Sequence, residues 1–516
     1  MTKIHWKKYF KKNAFLIVVI LIASYNIVQS AYHLFYKDLL FHTDIARDFL
    51  LTQEMIDEKK LTLIGPRAGG IPGVFYSPLW FYINAPLLIL GNGNPVIVGY
   101  FWMVLAVLSL GTTYYITRKI FGNTSACVAT LIYSFEIVSF VRGMTPWFGS
   151  VALSPPLMYL MYQFVIKKRL RDYSLAVLIN GFIICFQPAF GLITLFITYL
   201  IGLYYVVRLK KALYLIAFPI PSLPLFTYFL FEIRHNFLQT RAIIEFLFHN
   251  SSQFQLWMIL FIARNRIDQF LGRINIIGDS SIFSNLVFLV IYLSVLIIVF
   301  KKTNLKKAQR TFILLFYLYF GIFWATTFLF KGIVWDYYHL GFMPLLIIIF
   351  SSMTLFIKKK VFILMTIWIL ATLWFRTWDS GPQWISTFTG QNGSSWKLNE
   401  DVAKFVNKNV SGEFGYFVYS PDELGYSIKY AMSFIDKKNA NTGVICAKKP
   451  NTFLLYDPYK KSPNEFVYWR EKRVRINKPP VLSQQLGQIL VEKYVLNPQE
   501  IAISPDPNLV CGLHFR

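Results

Sequence analysis

Two carboxylates and an arginine lie one helical turn apart near the start of the chain, in the run Asp44-Ile45-Ala46-Arg47-Asp48. On a helix, Asp44, Arg47 and Asp48 occupy positions i, i+3 and i+4 and share one face. A carboxylate there could take a proton from a substrate hydroxyl, and the arginine could hold an anion. The alternative is an N-terminal helix cap with a surface ion pair. The apolar residues of the same helix predict that it lies flat on a membrane with its carboxylates turned towards the protein, and they are Ile45, Phe49 and Ile56, with Thr52 beside them.

A glycine-rich segment with one arginine follows, from Gly65 to Gly73, and leads into the aromatic run that contains Tyr76. Glycine lets the backbone approach a ligand closely, Arg67 could bind a phosphate, and Tyr76 could contact a substrate. The spacing is not that of a P-loop. A flexible loop that leads into an interfacial aromatic helix is the other interpretation.

Two more polar segments supply the remaining candidate substrate-binding residues, which are Glu232, Arg234, His235, Arg241, Tyr338 and His339. Loops on the outer side of a membrane usually contain fewer basic residues than loops on the cytoplasmic side. Arg234, His235 and Arg241 are expected on the outer side, and binding a lipid phosphate would account for them. Snorkelling arginines at a helix end, and an aromatic belt with a polar rim, are the alternatives.

The amino-acid composition indicates the class of protein in which these candidate residues lie. The 516 residues are 55% hydrophobic and 15% charged, with a mean hydropathy of +0.46, whereas soluble domains carry roughly 25% charged residues. This excludes a water-soluble enzyme, and the 18% aromatic content excludes a disordered chain. A polytopic helical membrane protein remains.

About eleven stretches are long and apolar enough to cross a bilayer. They centre on residues 14–32, 96–117, 124–141, 150–166, 173–187, 190–207, 212–231, 283–300, 311–329, 340–357 and 361–375.

The loops between these stretches are alternately short and basic, with Asp172 as the single acidic residue in the basic set. The positive-inside rule then predicts a cytoplasmic N-terminus and an extracytoplasmic C-terminus. The net charge of +26 is largely explained by these loops, so no nucleic-acid partner is expected. Only Glu136 is ionisable within the predicted spans, which disfavours an ion-coupled pump.

The predicted division is a transmembrane catalytic domain at residues 1–378, with outer loops 32–95 and 232–282, and an extracytoplasmic domain at residues 379–516. Strand-like runs and one helical stretch predict a small α/β or α+β fold for the second domain. The strands are expected at 416–419, 453–456 and 474–476, and the helix at 422–435. Cys446 and Cys511 either form a disulfide or stay as two buried thiols.

Taken together, these motifs resemble the GT-C superfamily of polyprenyl-phosphate-sugar-dependent glycosyltransferases, and particularly protein O-mannosyltransferases and the aminoarabinose transferases of lipid A. The likeness spans roughly residues 32–378. One departure is that many relatives carry adjacent Asp-Glu in the first outer loop, where this chain has Asp44 and Asp48. The motifs that carry the likeness are Asp44–Asp48, Gly65-Pro66, Tyr76–Leu79, Asn94-Pro95, Thr145–Trp147 and Glu232–His235.

The resemblance implies an inverting single displacement in which Asp44 is the general base. Asp48 would orient Arg47 or help to hold a divalent metal (Mg, Mn or Zn), which some members use and others do not. The cations that would neutralise the departing lipid phosphate are Arg67, Arg234, His235 and Arg241.

The same resemblance implies a polyprenyl-phosphate-linked sugar as donor, a glycan, lipid or protein as acceptor, and a site at the outer face of the plasma membrane. Three alternatives stay open: a lipid-linked sugar transporter or flippase, an oligosaccharide ligase or polymerase that uses a lipid diphosphate donor, and a sensor or scaffold.

Overall fold

Long apolar helices form the first three quarters of the chain. The computed structural model describes residues 2–68, 71–143, 145–248, 256–278, 281–301, 305–328, 330, 334–386, 392–420, 424–439, 441–458 and 463–512. The helices of the first part are α1 (Thr2–Ser30), α2 (Tyr32–Phe35), α3 (Thr43–Asp57), α4 (Leu79–Leu90), α5 (Val96–Phe121), α6 (Asn123–Arg142), α7 (Phe148–Lys167), α8 (Leu170–Phe186), α9 (Pro188–Leu209), α10 (Phe226–Arg234), α11 (Leu238–Phe248), α12 (Leu256–Ile274), α13 (Ile282–Lys301), α14 (Lys307–Thr327), α15 (Met343–Ser351) and α16 (Lys359–Ser386). Short 3-10 turns lie at Ala212–Ala217, Ile220–Ser222, Asp336–Tyr338, Leu340–Phe342 and Ser352–Leu355.

Each of the eleven predicted apolar stretches coincides with helical structure. Within the described residues, six helices are long and apolar enough to cross a membrane, namely α5, α6, α9, α13, α14 and the part of α16 up to Trp378. A bent pair, Ala212–Ser222 with Phe226–Arg234, makes a seventh if it counts as one span, and the chain bends by 70° between its two arms. The apolar part of α1 and the segment Leu340–Leu355 are shorter. The chain is therefore a polytopic helical bundle, and the count of eleven spans stays a prediction.

Four of the basic loops come together at one end of this bundle, where Lys168 lies near Arg208 and Lys307. Gln309 at the start of α14 donates to the carbonyl of Ile120 at the end of α5 (3.3 Å). Tyr214 donates to the carbonyl of Lys168, which follows α7 (2.8 Å). These contacts confirm that loops predicted to share one side do share one end. The orientation of that end in a membrane stays a prediction.

The outer surface of the bundle carries large apolar side chains, including Leu21 on α1, Leu108 on α5, Phe300 on α13 and Leu364 on α16, each more than half exposed. Soluble monomers rarely expose continuous apolar surface of this kind. Surrounding lipid would bury it, as the composition predicts.

The C-terminal part is a mixed α/β domain, and its fold agrees with the prediction. Its elements are α17 (Trp396–Lys408), β1 (Glu413–Tyr419), α18 (Tyr426–Asn439), β2 (Thr442–Ile445), β3 (Asn451–Tyr456), α19 (Pro463–Tyr468), a π-helical turn (Trp469–Val474), β4 (Leu482–Leu486), β5 (Ile489–Val495) and α20 (Pro498–Ala502). The sheet order is β2-β1-β3-β5-β4, in which β1 runs parallel to β2 and β3, and β5 runs antiparallel to β3 and β4.

Three expectations from the sequence can be compared with the structure of this domain: one strand, the pairing of the two cysteines and one helix. The strand predicted at 474–476 is wrong, because Val474 ends the π-helical turn and Arg475 takes a left-handed φ of 62°. Cys446 and Cys511 form a disulfide, so the paired alternative is correct. The first residues of the helix predicted at 422–435 lie outside the described residues, and α18 begins at Tyr426.

The C-terminal domain docks on the first outer loop through buried polar contacts. The Asp38 carboxylate accepts hydrogen bonds from Ser395 Oγ (2.7 Å) and from the backbone N–H of Lys397 (2.9 Å). The backbone N–H of Phe41 donates to the carbonyl of Ser394 (2.7 Å). Burial raises the pKa of Asp38, although these hydrogen bonds oppose the shift. This junction holds the start of α3 in place.

Candidate active site

Helix α3 presents the acidic cluster as the sequence predicts, but its apolar face does not lie on a membrane. Ile45 and Phe49 are almost fully buried, and Phe49 packs edge-on against Tyr430 of the C-terminal domain at 6.0 Å. The helix therefore lies between the bundle and that domain. Asp44 in its first turn interacts favourably with the helix dipole.

Arg47 bridges the two carboxylates. Its Nη1 lies 2.8 Å from Asp44 Oδ1, and its Nη2 and Nε lie 2.8 and 2.9 Å from Asp48 Oδ1. The side chains differ sharply in access to solvent: Asp44 is 56% exposed, Arg47 20% and Asp48 4%. Burial raises the pKa of Asp48 to about 6, and Arg47 opposes that shift. Asp44 is thus accessible to a substrate, whereas the buried Asp48 holds the Arg47 side chain in position.

A cleft of about 230 Å³ opens beside this cluster. It brings together ends of elements that are far apart in sequence, since antiparallel helices return to the same side of the bundle. Five of the predicted site residues line it, namely Asp44, Arg47, Asp48, Arg67 and Tyr76. Its other walls include Ser77, Trp80, Thr145, Trp147, Cys185 and Tyr337.

A short hairpin positions Arg67 and Tyr76. The backbone N–H of Tyr76 donates to the carbonyl of Pro66 (2.9 Å), and the N–H of Ala68 to that of Val74 (2.8 Å). Gly65 is required at its base, because a Cβ there would approach the carbonyl oxygen of Ser77 to 2.8 Å. Arg67 is exposed and forms no salt bridge within the described part of the chain, so its charge is available to a bound anion.

An aromatic wall faces the hairpin. Tyr337 stacks on Trp147 at 4.6 Å and shares a hydroxyl hydrogen bond with Tyr76, whose pKa is raised by burial. Gln187 Nε2 donates to the carbonyl of Tyr337 (3.1 Å) and holds it at the rim. Trp147 and Tyr337 were not predicted as site residues, although both lie in outer-face aromatic segments, which is the signal that would have found them.

The predicted residues in the last turn of α10 and in the segment that follows it do not line the cleft. The Glu232 carboxylate accepts from the backbone N–H groups of Gln239 and Thr240 (both 3.0 Å), so it caps the start of α11. His235 stacks on Phe231 at 4.1 Å. Arg234 and Arg241 are exposed on the outer side of this segment. Glu232 therefore has a structural role that the sequence interpretation missed.

The two predicted residues of the last outer loop are also set back from the cleft. Tyr338 does not line it but contacts its wall residue Tyr337, through a hydrogen bond and an edge-on ring contact at 5.1 Å. His339 is 3% exposed, and no residue in the described part of the chain forms a hydrogen bond with either of its ring nitrogens. Burial lowers its pKa to about 3. The neutral ring packs beside Trp324 at 5.2 Å.

A divalent cation does not fit the cluster as it stands. The Arg47 guanidinium lies between the Asp44 and Asp48 carboxylates, where a bridging metal would otherwise lie. Nowhere in the described ranges do three His, Cys, Asp or Glu side chains come together as a ligand set. No step of the reaction is therefore assigned to a metal.

No family model matches the chain, and no curated protein matches it in sequence. The fold, however, is similar to that of a crystal structure of ArnT from Cupriavidus metallidurans bound to undecaprenyl phosphate. The TM-score is 0.55 over 96% of this chain and 99% of the ArnT chain, at 10% sequence identity. The chain has an ArnT-like fold.

The apo crystal structure of the same ArnT gives a TM-score of 0.55 at 11% identity, over 94% of this chain and 98% of that one. The resemblance drawn from the sequence motifs is therefore confirmed at the level of the fold. Because the ArnT-like fold extends over nearly the full length of both chains, the match includes the C-terminal domain as well as the helical bundle.

Proposed function

We propose that the protein is a membrane glycosyltransferase that moves a sugar from a polyprenyl-phosphate donor to an acceptor at the outer face of the cytoplasmic membrane. The observation that carries this proposal is the accessible Asp44 beside Arg47 at the mouth of the cleft, in a chain with an ArnT-like fold. ArnT was crystallised with undecaprenyl phosphate, which is the lipid part of such a donor.

The proposed reaction is a single displacement. The acceptor hydroxyl oxygen forms a bond to the anomeric carbon as the bond from that carbon to the phosphate oxygen breaks, and the phosphate leaves with the electron pair. Asp44 accepts the hydroxyl proton as general base. One displacement inverts the configuration at the anomeric carbon.

Positive charge must stabilise the departing phosphate, and two arginines border the cleft. Arg67 is exposed on the hairpin, and Arg47 is held by Asp48 with part of its guanidinium facing solvent. Arginine binds phosphate through several parallel hydrogen bonds. Arg234, His235 and Arg241 lie outside the cleft and could bind the phosphate only if the donor extends past the hairpin.

A transporter is the second candidate, because such proteins also bind lipid-linked sugars. Transporters usually place ionisable groups along a path through the bilayer. The ionisable residue predicted within the spans, Glu136, forms a salt bridge with Arg376 (2.5 Å). That pairing favours a structural role for Glu136 over a role in transport. The cleft beside Asp44 therefore remains the candidate site of the reaction.

The proposal is tested by comparing the wild type with Asp44→Asn in nanodiscs, using radiolabelled polyprenyl-phosphate sugars and membrane extract as acceptor. Loss of a general base should reduce transfer roughly 10²–10⁴-fold, while undecaprenyl phosphate binding is kept. Asp172→Asn is the control, since Asp172 is a buried aspartate beside Arg171 at the other end of the bundle. Full transfer by Asp44→Asn would refute the role of Asp44. Transport without transfer in the wild type would favour the transporter.

A further inference from the structure

A second cavity, of about 380 Å³, lies between the start of α3 and the C-terminal domain. We call it the interdomain cavity. His42 and Thr43 line it from the first outer loop, while Ser394, Asp457 and Gln488 line it from the C-terminal part. Its volume is within the roughly 300–1,000 Å³ range of ligand-binding clefts. It is a space that both domains build and neither encloses alone.

The cavity lies where sheets of this type bind ligands. Ser420 directly follows β1 and Asp457 directly follows β3, and these two strands are parallel. Both residues line the cavity, and so does Tyr426, the first residue of α18. In open α/β sheets, ligands bind outside the carboxyl ends of the parallel strands. The topology therefore marks this side of the C-terminal domain as its binding edge.

The lining is polar and, apart from one carboxylate, uncharged. Hydroxyl and amide side chains predominate, from serine, threonine, tyrosine, asparagine and glutamine, and no lysine or arginine occurs among the described lining residues. Burial lowers the pKa of His42, so its ring is neutral near pH 7. A phosphate would meet no cation here, whereas a molecule rich in hydroxyl groups would find donors and acceptors on every wall.

The walls of the cavity are fixed. Gln488 Nε2 donates to the Asp457 carboxylate, and a Cβ on Gly393 would lie 2.1 Å from Asp457 Oδ2, so a larger residue there would displace the Asp457 side chain. Ser427, which also lines the cavity, donates from its Oγ to the carbonyl of Phe41. A preformed site of this kind loses little conformational entropy when it binds a ligand.

The cavity also borders the proposed catalytic base. His42 lines the cavity, and Asp44 is two residues further on and lines the cleft. Two residues separate their Cα atoms by at most about 7.6 Å. A ligand in the interdomain cavity would therefore lie close to the segment that carries Asp44.

We propose that the interdomain cavity binds the carbohydrate portion of the acceptor, as an uncharged sugar held by the hydroxyl, amide and carboxylate groups of both domains. This inference rests on the proposed glycosyl transfer, whose acceptor it assigns to a chemical class. It gives the C-terminal domain the role of selecting the acceptor.

The test uses the full chain in nanodiscs and a panel of neutral disaccharides: lactose, maltose, cellobiose and chitobiose. Saturation-transfer NMR measures their binding to the wild type and to two variants, Gln488→Leu and Ser394→Leu, each of which removes one polar side chain from the lining. Gln484→Leu is the matched control, because Gln484 lies on the same hairpin but is exposed outside the cavity.

We expect at least one disaccharide to bind the wild type and Gln484→Leu, and its affinity to fall about tenfold in each cavity variant. Equal binding by all four proteins, or binding of none of the sugars, would overturn the inference. Binding of undecaprenyl phosphate to the same preparations tests the proposed function separately. If the protein binds sugar but not the lipid, the role of the interdomain cavity is supported and the proposed polyprenyl-phosphate donor is rejected. If it binds the lipid but no sugar, only the proposed role of the cavity is rejected.

Discussion

Replacing Asp48 by asparagine should lower the transfer activity and at the same time raise the stability of the fold near neutral pH. Its side chain is 4% exposed, and its carboxylate accepts two hydrogen bonds from Arg47. Burial nevertheless raises its pKa from 3.8 to about 6. The folded protein therefore holds the proton on Asp48 more tightly than the unfolded chain does, and the ionised form is the costly one.

The size and direction of the effect follow from this difference. The difference between a pKa of 3.8 and one of about 6 corresponds to about 3 kcal/mol between the two protonation states. Because the folded-state pKa of Asp48 is raised, its contribution to stability is fully present below about pH 4 and is lost as the pH rises through about 6. Asparagine has nearly the same shape and no charge. Asp48→Asn should therefore be as stable as the wild type at pH 4 and more stable at pH 7.5, by up to about 3 kcal/mol.

Thermal unfolding in detergent measures this gain, with a thiol-reactive dye that reports exposure of the buried Cys127 and Cys185. The midpoint of Asp48→Asn should rise by roughly a few degrees at pH 7.5. Transfer activity should fall in the same variant, because Arg47 loses the partner that orients it. A lower midpoint at pH 7.5 would refute the reasoning, since it would mean that the ion pair stabilises the fold more than burial of its charge destabilises it.

Three further predictions concern the cleft and the C-terminal domain. Arg67→Gln should weaken undecaprenyl phosphate binding about tenfold, whereas Arg234→Gln should leave it unchanged; equal losses in isothermal titration would show that cations outside the cleft bind the phosphate. The transfer rate of the wild type should fall as the pH drops through about 6, because Asp48 takes up a proton there and its neutral carboxyl group no longer pairs with Arg47; a pH–rate profile with the same fall in Asp48→Asn would contradict this. Replacing both Cys446 and Cys511 by serine should destabilise the C-terminal domain by about 4 kcal/mol, since their disulfide closes a loop of 65 residues; limited proteolysis of that domain no faster than in the wild type would show that the disulfide adds little.

The helices of the bundle could be predicted from sequence because each depends on a local pattern. An apolar run must be buried in lipid or protein over its whole length, and basic residues mark the ends that face one side. Polar residues at the opposite end could therefore be assigned to one surface. The spacing of Asp44, Arg47 and Asp48 likewise determines that their side chains share a helix face.

Which polar residues enter the cleft could not be predicted in the same way, since that depends on contacts between distant segments. Arg67 and Arg234 both lie in segments that the sequence predicts to be outer, yet of the two only Arg67 lines the cleft. The hairpin places Arg67 there, while Glu232 anchors the segment around Arg234 to the start of α11. The role of Asp38 could not be predicted for the same reason. Its partners at Ser395 and Lys397 are more than 350 residues away along the chain, so no local pattern marks Asp38 as the residue that joins the two domains.

That junction connects the two proposals made for this protein. Asp38 and Phe41 bind the backbone and side chains of residues 394–397, and α3 begins directly after them. The contacts that attach the C-terminal domain therefore also set the position of Asp44, while the same short segment separates the cleft from the interdomain cavity. A C-terminal domain that only stabilised the bundle would need the junction but not a polar cavity at the carboxyl ends of β1 and β3. The presence of both favours a domain that holds the acceptor while its docking surface holds the base.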